Sequence, residues 1–211
     1  MNPQDVNAYY NSNNNEIVFP AAMMQPPFFD PEADDAMNYG AIGAIMGHEM
    51  THGFDDQGKK YDKNGNLKDW WTEEDTTEFE RRVEVQVSQA GKVEVYEKKL
   101  DGKLTCGENI ADLGGLRLAY AALQKKIESE GRPPPRNGFT AEQRFFLSWG
   151  TVWRENGTKE YSLLNLATDV HGPNEYRVNG PITNMPEFHE AFGVKEGDKM
   201  FLKESDRVDI W

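Results

Sequence analysis

The 211 residues contain one cysteine, Cys106, so no disulfide can close within the chain. A disulfide-stapled secreted scaffold is thereby excluded. The single thiol fits a reducing compartment, a bacterial source, or a piece of protein whose partner cysteine lies elsewhere. No apolar run approaches the roughly 20 residues of a membrane-spanning helix, so no direct membrane contact is expected from this segment. Asn2 and Gln4 follow Met1 where a signal peptide would carry charge and then an apolar run, so no targeting segment is read here. Positive charge is scarce. Lys and Arg number 23 against 36 Asp and Glu, a net charge of -13, which argues against a nucleic-acid partner. That acidic excess is by itself a solvated surface. No internal repeat and no dividing linker appear, so residues 1–211 are expected to form a single domain. Hydrophobic residues at 37% and aromatics at 11% suffice for a core. Histidine is sparse too, at four, and two of the four stand four residues apart.

Those two lie in His48-Glu49-Met50-Thr51-His52. Residues four apart share one helix face, so His48 and His52 can bind one metal ion, with Glu49 placed to handle a water beside it. Gly107-Glu108-Asn109-Ile110-Ala111-Asp112 can supply a carboxylate. Two His and one Glu leave a fourth position of tetrahedral zinc open, which is the pattern of a catalytic site. Glu108 is the weaker assignment on spacing, since many acidic residues compete. Its helix neighbours Ala111, Leu113, Leu116 and Ala119 bury it, however, and a buried Glu needs a cation. Asp55, three beyond His52, and Asp112, one turn beyond Glu108, can receive the histidines' other N–H; both can equally be ordinary helix-end or loop aspartates. His171, between Asp169 and Gly172-Pro173, can donate to an oxyanion. Arg177 offers a fork for a carbonyl or carboxylate. Each is balanced by a structural role.

Along the chain, Ile17-Val18-Phe19 reads as a short strand, and Pro20, Pro26, Pro27 and Pro31 rule out a long helix there. Asp34 or Asp35 caps a helix reaching about His52, with Ile42, Ile45, Met46 and Met50 as apolar positions and Gly53 at its C′ end. Gly40, Gly43 and Gly47 at helical spacing imply that another backbone or a substrate comes close. Asn64-Gly65 signals a type I′ turn. Asp62, Asn64 and Asn66 alternate like a calcium loop but lack its bidentate Glu. Thr72 opens a helix with a Phe79, Val83, Val87 stripe, Asp101-Gly102 is a turn, and a helix runs from about Cys106 to Ile127. Arg132 to Arg136 is a surface loop. Thr140 caps a helix carrying Phe145, Phe146, Trp149, Val152 and Trp153, which should be deeply buried, and Pro186 starts a last one that stops at Gly193.

Together these stretches resemble the neprilysin family of zinc endopeptidases, which includes endothelin-converting enzymes and bacterial oligopeptidases. The resemblance runs through Asn7-Ala8-Tyr9-Tyr10, Ile17-Val18-Phe19-Pro20-Ala21, Gln25-Pro26-Pro27-Phe28-Phe29, the His48 to Asp56 stretch, Gly107 to Asp112, Asp169-Val170-His171 and Trp211. It implies a predominantly helical α+β zincin (thermolysin-like) catalytic domain with a small sheet, holding one zinc ion through His48, His52 and Glu108. Glu49 would be the base and His171 the transition-state stabiliser. Asp55 and Asp112 would orient the histidines; Asp112 has also been cast as a proton donor, although an ionised carboxylate suits orientation better. Asp169 would support His171. Arg177, Asn7 and Ala8 would bind substrate backbone, and Phe28, Ile45 and Trp153 would line an S1′ pocket.

The resemblance also brings departures. Val208 stands where the animal enzymes have cysteine, and Ala44 where a larger pocket residue is usual. The long helical N-terminal part of the family is absent, so the chain reads as a C-terminal catalytic portion whose partner is that missing domain. Phe28, Phe29, Trp149 and Trp153 are then expected to be more exposed than in a full-length protein.

The function implied is zinc-dependent hydrolysis of oligopeptides on the amino side of hydrophobic residues. A folded zinc-binding fragment without turnover and a metal-free regulatory domain are the alternatives. An extracytoplasmic parent follows from the resemblance, with a cytoplasmic one still open.

Overall fold

Thr72, Thr140 and Thr158 each accept a hydrogen bond from a backbone N–H three residues on, and each starts a helix: α3 (Glu73–Ala90), α5 (Ala141–Val152) and α6 (Lys159–Thr168). Thr140 and Gln143 form a reciprocal capping box. Asp34 does the same work for α1 (Asp35–Asn38) by accepting from Met37 N. The structure, a computed structural model, describes residues 1–210; Trp211, which carries part of the resemblance, lies outside the described residues.

From α1 the chain passes through a π-helical turn (Tyr39–Gly43) into α2 (Ala44–Thr51), which carries His48 and Glu49. The single helix expected from Asp34 to His52 is thus three pieces. Gly53 is not its left-handed C′ residue: the chain tightens through a 3₁₀ turn (His52–Phe54) and becomes extended at Asp55. The long helix α4 (Cys106–Glu130) lies against α2 and starts beside its C-terminal end.

Two glycine contacts set that separation. A Cβ on Gly47 would stand 2.7 Å from Gly115 O, and one on Gly115 would stand 2.4 Å from His48 N and 2.5 Å from Ala44 O. Only Gly permits so close a backbone approach. Gly40 sits as tightly against Phe145, but Gly43 has only ordinary contacts. Gly115→Ala is therefore expected to lower stability by about 1–3 kcal/mol through overpacking. It should also weaken metal binding, because His48 must move relative to Glu108. Gly150 in α5 is the control. A Cβ there meets Val178 at 3.7 Å, so Gly150→Ala should be neutral or gain up to about 1 kcal/mol in helix propensity. Equal urea midpoints for the two variants would show that the close approach does not limit the packing.

The core lies between α1, α2, α4, α5 and the C-terminal segments. Phe145, Trp149, Ile110, Leu116 and Leu123 are fully enclosed in it. Trp149 is at 0%, deeply buried as its helix pattern predicts, whereas Val152 and Trp153 at the end of that pattern are only half-buried. Phe28 and Phe29 are half-buried too. Met46 and Met50, expected as apolar positions of this helix along with Ile42 and Ile45, are exposed at 43% and 52%, while Ile42 and Ile45 are buried.

Two small antiparallel hairpins complete the α+β architecture. The first, β1 (Tyr9–Asn11) with β2 (Glu16–Val18), pairs Tyr10 with Ile17 and lies near α2. The second joins β3 (Glu94–Val95) and β4 (Lys98–Lys99), with Tyr96 and Glu97 both at positive φ. The two-residue turn thus occurs there, and not at Asn64-Gly65. At that site only Gly65 is left-handed, and Asp62 Oδ1 accepts from the N–H of Asn64 and Asn66. Asp62 is thereby satisfied within its own turn.

Two helices were not legible. They are α6 and α7 (Asn174–Thr183), the second of which contains Pro181. The last helix, α8 (Pro186–Phe192), ends at left-handed Gly193 as its sequence predicts.

Candidate active site and metal centre

The end of α2 and the first turns of α4 bring three potential ligand atoms together. His48 Nε2 and His52 Nε2 are 3.0 Å apart, and Glu108 Oε2 is 3.2 Å from the first and 3.5 Å from the second. Ligands of tetrahedral zinc, each at 2.0–2.1 Å from the metal, stand roughly 3.3 Å from one another. Both histidines have their other nitrogen engaged: His48 Nδ1 with Asp112 Oδ1 at 2.8 Å and His52 Nδ1 with Asp55 Oδ2 at 2.7 Å. A neutral ring that donates from Nδ1 turns its Nε2 lone pair inward. Two lone pairs and a carboxylate oxygen then face one point. Glu108 Oε2 is buried there and accepts no hydrogen bond. A cation answers that arrangement, and His48, Glu49 and His52 also form a compact donor group. The residues fit a metal.

The surrounding carboxylates favour positive charge at this point. Burial would lower the His52 imidazole pKa, but Asp55 and Glu108 override it and raise the value to about 10. Burial would raise the Glu108 pKa, and the three surrounding histidines instead hold it far below the usual carboxylate range. Glu49 behaves differently. It is 4% exposed, and burial pushes its carboxyl up against the pull of His48 and His52. A buried carboxylate with a raised pKa is suited to take and return a proton.

His171 comes from the loop between α6 and α7. Its Nε2 is 3.2 Å from Glu108 Oε2, and Asp169 Oδ1 accepts from its backbone N–H and lies 2.7 Å from its Nδ1. Arg177, on the first turn of α7, is 6% exposed. Its Nε and Nη2 donate to the two oxygens of Asp112 at 2.9 and 2.8 Å. The fork that the sequence offers to substrate is thus occupied by Asp112, leaving Nη1. Burial would raise the Asp112 carboxyl, but Arg177 and His48 hold it below the usual aspartate range.

These groups line a cleft of about 460 Å³. All the site residues named from the sequence border it or support its walls. Asn7, Ala8, Phe28, Ile45, His48, Glu49, His52, Asp55, Glu108, Trp153, His171 and Arg177 line it, while Asp112 and Asp169 lie behind His48 and His171. The sequence reading missed Met23, which is 2% exposed, as well as Tyr10, Gln57 and Gly58. Met23 sits on one 3₁₀ turn after Pro20, with exposed Met24 beside it. No periodicity separates the two. Cys106 is buried outside the cleft lining, and its thiol is pushed up to about 12.

The pattern of peptidase family M13 matches residues 7–208. An endothelin-converting enzyme homolog of Locusta migratoria is 46% identical over the whole chain, which covers 29% of that protein. The zinc metalloprotease Zmp1 of Mycobacterium tuberculosis, solved with an inhibitor, superposes with a TM-score of 0.95 at 48% identity. The match covers 99% of this chain and 33% of that one. PepO of Lactobacillus rhamnosis superposes at 0.88 with 35% identity, covering 98% of this chain and 31% of PepO. The chain therefore spans about a third or less of the length of these relatives. With the match running nearly end to end, the chain belongs to peptidase family M13.

Proposed function

We propose that this chain carries the catalytic centre of a zinc-dependent endopeptidase that cleaves oligopeptides on the amino side of large apolar residues. The observation that carries the reading is the set of His48 Nε2, His52 Nε2 and Glu108 Oε2 within 3.5 Å, with the buried carboxylate oxygen lacking any hydrogen bond. One zinc ion held by these three would act as a Lewis acid and acidify a water.

This chain's own residues do the rest. Glu49 accepts the water's proton and delivers it to the leaving amine. His171, held by Asp169, donates to the oxyanion as it forms. Asp112 and Asp55 fix the rings of His48 and His52. Asn7 and Ala8, at the approach to β1, hold the substrate backbone as an added strand. Nη1 of Arg177 is left to bind a substrate carbonyl. Phe28, Ile45 and Trp153, joined by Met23, receive the apolar side chain. Ala44 is fully buried and does not line the cleft.

In the same reading, a longer polypeptide supplies an N-terminal helical domain that completes the cleft, and the parent works outside the cytoplasm. Among the described residues no helix is long and apolar enough to cross a membrane. Met46, Met50 and Trp70 expose 43%, 52% and 46% of their surfaces, apolar area that a second surface could cover. Peptidases hold substrate from both sides and exclude water from the reacting carbonyl. The 211 residues alone are therefore expected to fold, bind one zinc and self-associate. They should cleave a short Phe- or Leu-containing peptide with both KM and kcat impaired relative to a chain of family length. Zinc analysis together with kcat/KM on both chains is the test. Equal kcat/KM would show that the added length is dispensable, and absence of zinc from both would end the peptidase reading.

A further inference from the structure

Arg177 is held at both ends by the same helix. At its head, the guanidinium carbon lies 3.8 Å from the centre of the Trp153 ring. At its backbone, the indole Nε1 of Trp149 donates to the Arg177 carbonyl at 3.1 Å, a bond closed off from solvent. Trp149 and Trp153 are one turn apart at the end of α5, with their rings in edge contact at 5.3 Å. Trp149 is fully buried and is not among the residues that line the cleft. An aromatic residue there would suffice for packing; the indole N–H adds a specific partner.

We propose that Trp149 is a positioning residue that acts through Arg177 on the metal centre. The chain of contacts is short. Trp149 fixes the backbone at Arg177, and Trp153 sets the plane of the guanidinium. The guanidinium grips both oxygens of Asp112, and Asp112 holds His48 Nδ1. The carbonyl of Arg177 lies in the first turn of α7, and its i+4 residue is Pro181, which has no N–H to donate; the Trp149 indole N–H takes that place. Losing it leaves a buried carbonyl without this donor and loosens the start of α7. The consequence is a less sharply placed Arg177, with Asp112 and His48 following. The proposal rests on the zinc reading only for its affinity readout.

The test uses the 211-residue protein and the variant Trp149→Phe, which keeps an aromatic ring and deletes the N–H. Should Phe fail to fold there, benzothienylalanine placed at 149 by amber suppression keeps the ring size and makes the same deletion. Two quantities are read. One is solvent exchange of the Arg177 Nε–H by NMR in metal-free protein; the other is the zinc Kd. The expected result is exchange faster by about tenfold and a zinc Kd raised at least threefold, an effect that disappears when Arg177→Lys is already present, as coupled residues require. A lower melting temperature with unchanged exchange and unchanged Kd would overturn the proposal, since that is what packing alone gives. A Kd effect that persists undiminished beside Arg177→Lys would overturn it too. If wild-type protein binds no zinc, the peptidase reading fails, while the exchange measurement still decides the positioning role.

Discussion

Glu49→Gln should bind zinc as the wild type does and lose peptide hydrolysis by about 10²–10⁴-fold in kcat, the range spanned by general acid–base catalysis. The amide matches the carboxylate in shape but cannot accept a proton. The loss should fall on kcat more than on KM, because a missing proton acceptor is felt in the transition state. Zinc binding should be preserved because the set of His48, His52 and Glu108 is complete without Glu49. The measurement belongs in a chain of family length, where turnover is fast enough to follow the loss, with zinc content determined on the same sample. A kcat within a few-fold of wild type would remove Glu49 from proton transfer. Loss of zinc together with activity would instead make it a ligand, a role its place within the compact donor group leaves open to this test.

What could be read in advance divides along physical lines. His48, Glu49 and His52 were legible as neighbours because a helix fixes which residues share a face; Glu108 was weaker on spacing, and burial of its helix together with the family resemblance pointed to it. The threonine caps were legible for the same local reason. Arg177 was legible as a residue, but its fork was read as open. Its grip on Asp112 joins residues 65 apart in sequence, and no local rule reports such a pairing. Helix α7 went unread because Gly180-Pro181 is a breaker signal. Pro181 lies eight residues into a ten-residue helix, with Arg177 at the i−4 position, and the Arg177 carbonyl accepts from Trp149 Nε1. Met46 and Met50 show the limit of apolar patterning. Periodicity says that a face is apolar, and only packing says what covers it. Met23 joined the cleft through a single turn that has no period at all.

Asp112→Asn is expected to have the largest effect on stability of any substitution at the site. Asp112 is 1% exposed and meets three N–H groups: His48 Nδ1, Arg177 Nε and Arg177 Nη2. Every partner is a donor, so an amide must turn its own NH₂ group toward one of them. Arg177, itself buried, then loses its counter-ion, and breaking such a pair costs about 3–5 kcal/mol. The zinc Kd should rise about 10–100-fold, as it does when the group orienting a ligating histidine is removed. Asp55→Asn is the informative comparison. Asp55 also holds a ligating histidine, but its other oxygen accepts only backbone N–H bonds from Gln57 and Gly58. It should weaken zinc by a similar factor at a smaller cost in stability, about 1–3 kcal/mol. The two roles of Asp112 can then be separated by adding Arg177→Met to Asp112→Asn. Removing the stranded cation should restore part of the stability measured by urea unfolding and none of the zinc affinity, because His48 still lacks its anion. If the double variant is no more stable than Asp112→Asn alone, the stranded charge is not the cause of the loss. If Asp112→Asn holds zinc within threefold of wild type, Asp112 does not orient His48.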